Sequence, residues 1–385
     1  MKVVLKLLKW LVGILLLVVI GLYATGYGYV LKGVRVVYLT GHDTAFIDDY
    51  PYFDNRTVAN ANPQPLPKHK NYNSVDMPEA LKQTHEIYGS IAYLIFKDGK
   101  LWYEYYDEGY GPDSHTNSFS MAKSITTMLL GKAIEEGHVE SLDQKVTDFF
   151  PNLKGEYASQ VTVGDLASMA SGLNWDENYY SPFSITAQAY YKSNVRELIL
   201  DLSVDEQPGK AFKYLSGNTQ LLGMVIEKAT GQNLSNYLSD NFWKPMGMEE
   251  PAYWQLDSEE SGMEKSYCCL ASNARDFARM GLLVMNEGRW NGKQLLNSNF
   301  IDKSIQPRFE NDPEYGYGFW LEKIEGQDLF VMQGVLGQYV IGDPKNDVLI
   351  VRLGHHRASK TDKAVFPADF YEYLEGAYSM LEKAD

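Results

Sequence analysis

A serine and a lysine three residues apart could form a nucleophile and its base. Ser120 and Lys123 lie at the start of Asn117–Val139, NSFSMAKSITTMLLGKAIEEGHV. Apolar residues recur here at three- and four-residue spacing, which predicts an amphipathic helix. Residues i and i+3 share a helix face, so the hydroxyl and the ammonium can meet. A lysine whose pKa is lowered by burial can take the serine proton and activate the hydroxyl.

The Ser-x-x-Lys spacing alone is also explained by a capping serine and a solvated lysine. It occurs only once in the chain, and it falls at a helix start. The free N–H groups and the positive dipole end of such a helix favour developing negative charge.

A second candidate is Tyr214, which stands before a predicted helix in FKYLSGNT. A phenol near a lysine ammonium can ionise partly and shuttle protons between a serine and a leaving group. Ser216 and Asn218 follow it, and Asn218 is a candidate for substrate binding. A half-buried core tyrosine followed by a polar helix cap explains the same pattern.

A third candidate is the turn Met332-Gln333-Gly334-Val335 between two predicted strands. Gly334 would let a substrate or a loop approach the backbone closely. The amide N–H groups of Val335 and Ser120 could together hold a tetrahedral oxyanion. Gln333 and Gly334 are candidates for substrate binding, although an ordinary glycine turn has the same sequence.

The charge of the chain argues against nucleic-acid binding. The 385 residues carry a net charge of −15. Residues 1–31 hold three lysines and no acid, so the rest of the chain carries −18. An acidic body of this kind would repel a phosphate backbone.

The first 31 residues are predicted to be a targeting segment. Lys2, Lys6 and Lys9 precede Trp10–Leu31, which has no charged residue. Its helix would span roughly 33 Å, enough to cross a bilayer. The lysines predict a cytoplasmic N-terminus, with the rest of the chain on the extracytoplasmic or periplasmic side of a bacterial-type inner membrane. A cleaved signal peptide, which would leave a secreted protein, is the alternative.

The two cysteines, Cys268 and Cys269, are adjacent. Adjacent cysteines rarely pair with each other, and no Cys/His metal spacing is present. We therefore expect no disulfide framework, no metal and no cofactor, with the fold resting on packing.

Strand patterns lie at both ends of the predicted domain and helical patterns lie between them. Ile91–Phe96 and Leu101–Tyr106 flank an Asp98-Gly99 turn, which predicts a hairpin. Short strand patterns return after residue 315, before a terminal helix over Lys363–Lys383. The order predicts an α+β fold in which an antiparallel sheet is built from both chain ends around a helical insertion. The predicted divisions are a membrane segment at 1–31, a linker and arm at 32–80, and a catalytic domain at 81–385.

The order of these motifs resembles the serine β-lactamase and penicillin-binding-protein superfamily. Within it, the chain is most similar to class C β-lactamases, esterases and 6-aminohexanoate-dimer (nylon-oligomer) hydrolases. The similar segments are SFSMAKSITTMLLGKAIEEGHVESLDQKVTDFFP, VTVGDLASMASGLNW, FKYLSGNTQLLGMVIEKATGQ, ASNARDFARMGLLVMNEG and GYGFWLE.

The resemblance implies a β-lactamase/transpeptidase-like fold and a role for each matching residue. Ser120 would be the nucleophile, Lys123 its base and Tyr214 the proton shuttle, with the oxyanion held by the N–H groups of Ser120 and Val335. The nylon-oligomer branch contacts its substrate amide with a tyrosine in an Asp-Glu-x-Tyr stretch, which makes Tyr179 a substrate-binding candidate.

The sequence departs from the class C pattern at two places. Ser216 stands where those enzymes have the asparagine of Tyr-x-Asn, and Met332 stands where they have the lysine of Lys-Thr-Gly. A methionine cannot pair with a substrate carboxylate. We therefore expect an ester, amide or peptide-like small-molecule substrate, cleaved through an acyl-enzyme. The alternatives are a β-lactamase or D-alanyl peptidase, and a penicillin-binding-like sensor without turnover.

Overall fold

The strands of the central sheet come from the two ends of the predicted domain, as the order of the strand and helix patterns predicts. The computed structural model describes residues 1–107, 109–361 and 364–384. The strands are β1 (Asn55–Val58), β2 (Ser90–Lys97), β3 (Lys100–Tyr106), β4 (Thr116–Asn117), β5 (Ala252–Gln255), β6 (Leu270–Ser272), β7 (Arg289–Trp290), β8 (Lys293–Gln294), β9 (Trp320–Ile324), β10 (Gln327–Gly334), β11 (Gln338–Asp343) and β12 (Val348–Gly354).

The helices fill the chain between those strands and close it at both termini. They are α1 (Lys2–Ala24), α2 (Tyr29–Val36), α3 (Glu79–Tyr88), α4 (Met121–Glu135), α5 (Val146–Phe149), α6 (Val163–Ala167), α7 (Ile185–Tyr191), α8 (Val195–Leu200), α9 (Ser216–Thr230), α10 (Leu234–Leu238), α11 (Ala274–Met285), α12 (Ser298–Ser304) and α13 (Ala368–Glu382). The predicted terminal helix corresponds to α13, and Lys363 lies outside the described residues.

Six antiparallel strands form the main sheet in the order β3-β2-β12-β11-β10-β9. The β2–β12 pairing, with Ile95 opposite Ile350, joins the early strands to the late ones. Asp98 and Gly99 both adopt positive φ in the β2–β3 turn, as a two-residue hairpin requires. The predicted sheet closed by both chain ends is therefore confirmed.

The sheet has a helical layer on each face. Alternate residues of its strands pack with α4 and α11 on one side and with α3 and α13 on the other. A smaller antiparallel sheet in the order β1-β5-β6-β4 lies beside the first layer, so β4 leads into α4 and positions Ser120.

The predicted membrane span differs from the observed helix. The apolar helix is α1, Lys2–Ala24, and it is long and apolar enough to cross a membrane by length and composition. It ends before Gly26, whose φ of 79° breaks the helical path. Val30 and Leu31, predicted to belong to the span, instead lie in α2, whose Tyr29 and Val36 are buried against the body.

Residues 32–80, predicted to be a linker and arm, form part of the body. Strand β1 pairs with β5 along its whole length. Ile47 is fully buried in the main core, and its carbonyl accepts the N–H of Asn117 at 2.7 Å. This segment therefore supports the strand that leads to the candidate nucleophile.

We expect Ile47→Ala to lower the free energy of unfolding by about 2–5 kcal/mol, because it empties a buried site beside β4. Urea unfolding monitored by tryptophan fluorescence measures this. Ile87→Ala is the matched control, since Ile87 is exposed and its truncation should change stability by less than about 0.5 kcal/mol. Equal midpoints for the two variants would contradict the placement of this segment in the core.

Candidate active site

Ser120 and Lys123 meet at the N-terminus of α4. Ser120 is the residue that precedes the helix, and the Lys123 Nζ donates to its Oγ at 3.0 Å. The same Nζ donates to the carbonyl of Tyr267 at 2.8 Å. The first amides of a helix have no partner within the helix, so the Ser120 N–H can serve a bound group. The predicted i, i+3 contact is therefore present.

The lysine is held in a setting that favours its neutral form. Lys123 is 2% exposed, and burial lowers the pKa of its ammonium to about 8, against a small opposing effect of the Glu177 carboxylate. Its two hydrogen-bond acceptors are an uncharged hydroxyl and an uncharged carbonyl, which compensate the buried charge only in part. At neutral pH a useful fraction of this amine is therefore free to accept a proton.

Tyr214 lies against the lysine, within a group of aromatic rings. Its ring centroid is 5.1 Å from the Lys123 Nζ, and it packs against the rings of Trp320 and Tyr315. Burial raises the pKa of the Tyr214 phenol, and the Ser120 hydroxyl and Trp320 partly offset this effect. The phenol is therefore protonated at neutral pH, which disagrees with the partial ionisation expected from sequence.

Gly334 lets the end of β10 lie close to the backbone of Ser118, which stands between β4 and Ser120. A Cβ on this residue would lie 2.3 Å from the carbonyl oxygen of Ser118, so only glycine fits. Val335 follows at once and lines the same cleft as Ser120. The close approach expected at Gly334 is present, and the partner that approaches is the chain itself.

The turn before the nucleophile is held by a buried polar network. Phe119 adopts a φ of 45°, and its N–H donates to the Asn117 Oδ1 at 2.9 Å. The Asn117 Nδ2 donates to Asp49 at 2.9 Å, and the Tyr190 hydroxyl donates to the other oxygen of Asp49 at 2.5 Å. A positive φ in a bulky residue costs conformational energy, and these hydrogen bonds stabilise the backbone of Phe119 in that conformation.

Glu177 is a site residue that sequence reasoning passed over. It accepts the N–H of Ser216 at 2.7 Å and the Ser216 hydroxyl at 2.6 Å, so it caps α9 directly after Tyr214. It also accepts from Trp175 at 2.6 Å and from the Tyr179 hydroxyl. The Asp-Glu-x-Tyr stretch that contains Tyr179 is the sequence signal that includes it.

The substrate-binding candidates divide between the cleft and the core. Tyr179 lines the cleft and is 54% exposed. Asn218 does not reach it: its side chain is fully buried and bonds to Ser171 and the sulfur of Met169.

Gln333 pairs with the buried Tyr339 and lies on the sheet face opposite to the neighbouring Met332, which packs toward α4. The structure therefore brings neither Asn218 nor Gln333 into the described lining of the cleft, and their predicted contact with substrate stays a prediction.

The cysteine prediction was also wrong. Cys268 and Cys269 form a disulfide with each other, directly after Tyr267. Cys269 has a positive φ of 74°, and Cys268 lines the cleft. The pair directly follows Tyr267, whose carbonyl accepts from Lys123, so it adjoins the candidate site.

The cleft itself has a volume of about 630 Å³ and a mainly aromatic and aliphatic lining. Besides Ser120 and Val335 it is lined by Tyr190, Tyr191, Leu336 and Arg357. Arg357 adds a cationic side chain that no motif predicted. Trp175 and Trp320 are not among the residues that line it: Trp175 donates to Glu177, and the ring of Trp320 packs against Tyr214.

Comparison with known proteins decides the family. The β-lactamase family model matches residues 79–370. The chain belongs to the β-lactamase family.

Its relatives include hydrolases of amides. The chain is 24% identical to the 6-aminohexanoate-dimer hydrolase of Paenarthrobacter ureafaciens over 287 residues, which is 68% of this chain and 71% of that one. A candidate 6-aminohexanoate-dimer hydrolase structure from Bacillus anthracis superposes with a TM-score of 0.74 at 22% identity, over 92% and 95% of the two chains. A penicillin-binding-protein homologue from Pyrococcus abyssi gives 0.60 at 20% identity, over 78% and 76%. The protein is a β-lactamase-related hydrolase of the predicted superfamily.

Glu177→Gln should lower the pKa of Lys123 further, because it removes a negative charge that favours the ammonium. We therefore expect the acid limb of the pH–rate profile to move to lower pH, measured as kcat/KM for a soluble ester. Glu140→Gln is the control, since Glu140 is an exposed acid beyond the far end of α4. A limb that moves to higher pH would contradict this electrostatic assignment.

Proposed function

We propose that the protein is a serine hydrolase that cleaves an ester or amide bond through an acyl-enzyme on Ser120. The observation that carries the proposal is the 3.0 Å contact between the Lys123 Nζ and the Ser120 Oγ, in a setting that brings the lysine pKa to about 8. A serine needs such a base before its hydroxyl can attack a carbonyl carbon.

The environment of each group suggests the direction of proton flow. Neutral Lys123 accepts the Ser120 proton as the Oγ–acyl bond forms. Tyr214 enters the cycle protonated, so it delivers its proton to the leaving oxygen or nitrogen and regains one from Lys123. The bond to the leaving group breaks, and water activated by the same pair releases the acid.

The N–H groups of Ser120 and Val335 are proposed to hold the tetrahedral oxyanion. Ser120 contributes the N-terminal end of α4, where the dipole favours negative charge. Val335 follows Gly334, whose contact with Ser118 brings the two backbone segments together. Donors fixed in this way need little reorganisation as the charge develops.

Tyr179 is proposed to contact the substrate. Tyr179 reaches the cleft with its hydroxyl oriented by Glu177, so its ring and hydroxyl can contact an amide or an ester. The substrate named for the P. ureafaciens relative, a 6-aminohexanoate dimer, is an amide and fits this chemistry.

A β-lactamase or D-alanyl peptidase activity is the second candidate, and Arg357 favours it. Buried Met332 provides no charge for a substrate carboxylate, but the guanidinium of Arg357 lines the cleft. Nitrocefin turnover that is lost in both Ser120→Ala and Arg357→Ala would support this reading.

We further propose that α1 anchors the enzyme in a membrane, with the catalytic body on the extracytoplasmic side. The three lysines near the start of α1 favour a cytoplasmic N-terminus. None of the residues of α1 is buried, which agrees with a helix that lies in a bilayer and does not pack against the catalytic body. Removal of this segment as a signal peptide remains the alternative.

A fluorophosphonate probe tests the nucleophile. The full chain in detergent micelles should give one adduct, which peptide mapping places on Ser120. Ser120→Ala should abolish labelling, and Lys123→Ala should slow it about 100-fold or more, because general-base assistance is lost. Ser124→Ala is the matched control, since Ser124 is buried on α4 and bonded to the carbonyl of Gly318. Absence of an adduct would contradict the serine hydrolase proposal and favour the alternative of a penicillin-binding-like sensor without turnover.

The pH dependence tests the base. We expect kcat/KM for a soluble ester to rise with pH and to reach half its maximum near pH 8, because only neutral Lys123 accepts the serine proton. Lys123→Arg keeps a positive charge throughout this pH range, so it should lose both the activity and the rise of kcat/KM with pH. A wild-type profile that is flat between pH 6 and about 9 would rule out Lys123 as the base.

A further inference from the structure

One wall of the catalytic cleft is the helix that follows the apolar N-terminal helix. Val30, Val34, Val37 and Tyr38, in α2 and just after it, line the same cavity as Ser120. These side chains are aliphatic or aromatic. The proposed reaction requires only that the substrate present an ester or amide carbonyl to Ser120, so the rest of the substrate can be apolar. The α2 wall therefore offers an apolar surface leading to the nucleophile.

This wall is fixed to the catalytic body. Tyr29 and Val36 of α2 are buried, and the Tyr29 hydroxyl donates to the carbonyl of Pro182 at 3.1 Å. The ring of Tyr27, just before α2, packs edge-on against Phe183 at 5.3 Å. The loop that carries Tyr179 into the cleft thus also holds the start of α2.

The covalent chain keeps the wall close to the end of α1. Only four residues, Thr25 to Gly28, separate α1 from α2. Five residue steps reach at most about 18 Å even when fully extended. If α1 spans a bilayer, α2 and the cleft entrance must therefore lie at or near its surface.

The surface around the entrance has the composition of a membrane interface. Val34, Tyr38, Leu39, Tyr180 and Phe183 are exposed, and Leu39 and Tyr180 reach 77% and 99%. A group of exposed apolar side chains of this kind marks a contact surface.

An adjoining cavity of about 580 Å³ supports the same orientation. It is lined by Lys32, Arg35 and Lys192 together with Tyr23 of α1. Tyrosines and basic residues at the end of an apolar helix are typical of the headgroup region. This basic group is notable on a body whose net charge is −18.

We propose that the cleft opens onto the bilayer surface and takes a membrane-resident amphiphile, an ester or amide with a long apolar chain. The chain would lie along Val30, Val34 and Val37 while the carbonyl reaches Ser120. The proposal rests on the serine hydrolase function above. The chemistry is hydrolysis: the carbonyl–leaving group bond breaks, Ser120 carries the acyl group, and water releases it.

The test uses the full chain in nanodiscs, with 4-nitrophenyl acetate in solution and 4-nitrophenyl palmitate in the bilayer. The palmitate ester is placed either in the same discs as the enzyme or in separate protein-free discs. We expect same-disc palmitate to be hydrolysed about tenfold faster or more, since the substrate reaches the cleft laterally. Equal rates in the two arrangements would overturn delivery from the bilayer.

Val34→Asp tests the wall itself. A carboxylate here should lower the ratio of palmitate to acetate kcat/KM about tenfold, because an apolar chain would have to desolvate the charge. Ile87→Asp is the matched control, since Ile87 is an exposed apolar residue on α3, outside the cleft lining, and should leave both activities unchanged. Leu39→Asp, beside the entrance, should slow same-disc palmitate hydrolysis without reaching the catalytic residues.

Failure of this proposal is distinguishable from failure of the serine hydrolase proposal. Fluorophosphonate labelling of Ser120 and acetate turnover report the catalytic function in every variant. If both persist while Val34→Asp leaves the palmitate to acetate ratio unchanged, the substrate class proposed here is wrong. If neither is present in wild type, the catalytic proposal fails first.

Discussion

The buried amine of Lys123 is the constraint around which the site is built. Removing an ammonium from water is costly unless strong partners compensate, and among the described residues its acceptors are the uncharged Ser120 hydroxyl and Tyr267 carbonyl. The rings of Tyr214 and Tyr267 approach the Nζ at 5.1 and 5.6 Å and add weaker attraction. The incomplete compensation lowers the pKa of Lys123, so a local cost in stability leaves part of the amine neutral at neutral pH, as its proposed role as the base requires.

Several elements have to meet to produce that environment. The candidate nucleophile Ser120 immediately precedes α4, the carbonyl of Tyr267 precedes the Cys268–Cys269 disulfide, and Tyr214 precedes α9. Glu177 ties the last of these in place by capping α9, and it also moderates the lysine pKa. One carboxylate therefore links the position of the phenol to the electrostatics of the base.

The N-terminal segment takes part in both the stability and the shape of the site. Asp49 holds Asn117, which holds the strained turn at Phe119, so residues before the family-matched region support the nucleophile. Helix α2 then closes one side of the cleft with apolar side chains. The same segment connects the catalytic body to α1, so in the arrangement proposed here substrate access depends on the position of the membrane.

The sequence by itself determined the fold class, the strand hairpin, the helices that follow Ser120 and Tyr214, the terminal helix and the i, i+3 pairing of Ser120 with Lys123. These depend on local periodicity, on turn residues such as Asp98-Gly99 and on caps, all of which act over a few residues. Only the tertiary structure decided that the Asn218 side chain lies in the core, that Glu177 caps α9 and that α2 lines the cleft. Those outcomes depend on contacts between residues far apart in the chain, and on which face of an element is buried. Local sequence patterns predict neither the long-range contacts nor the buried face.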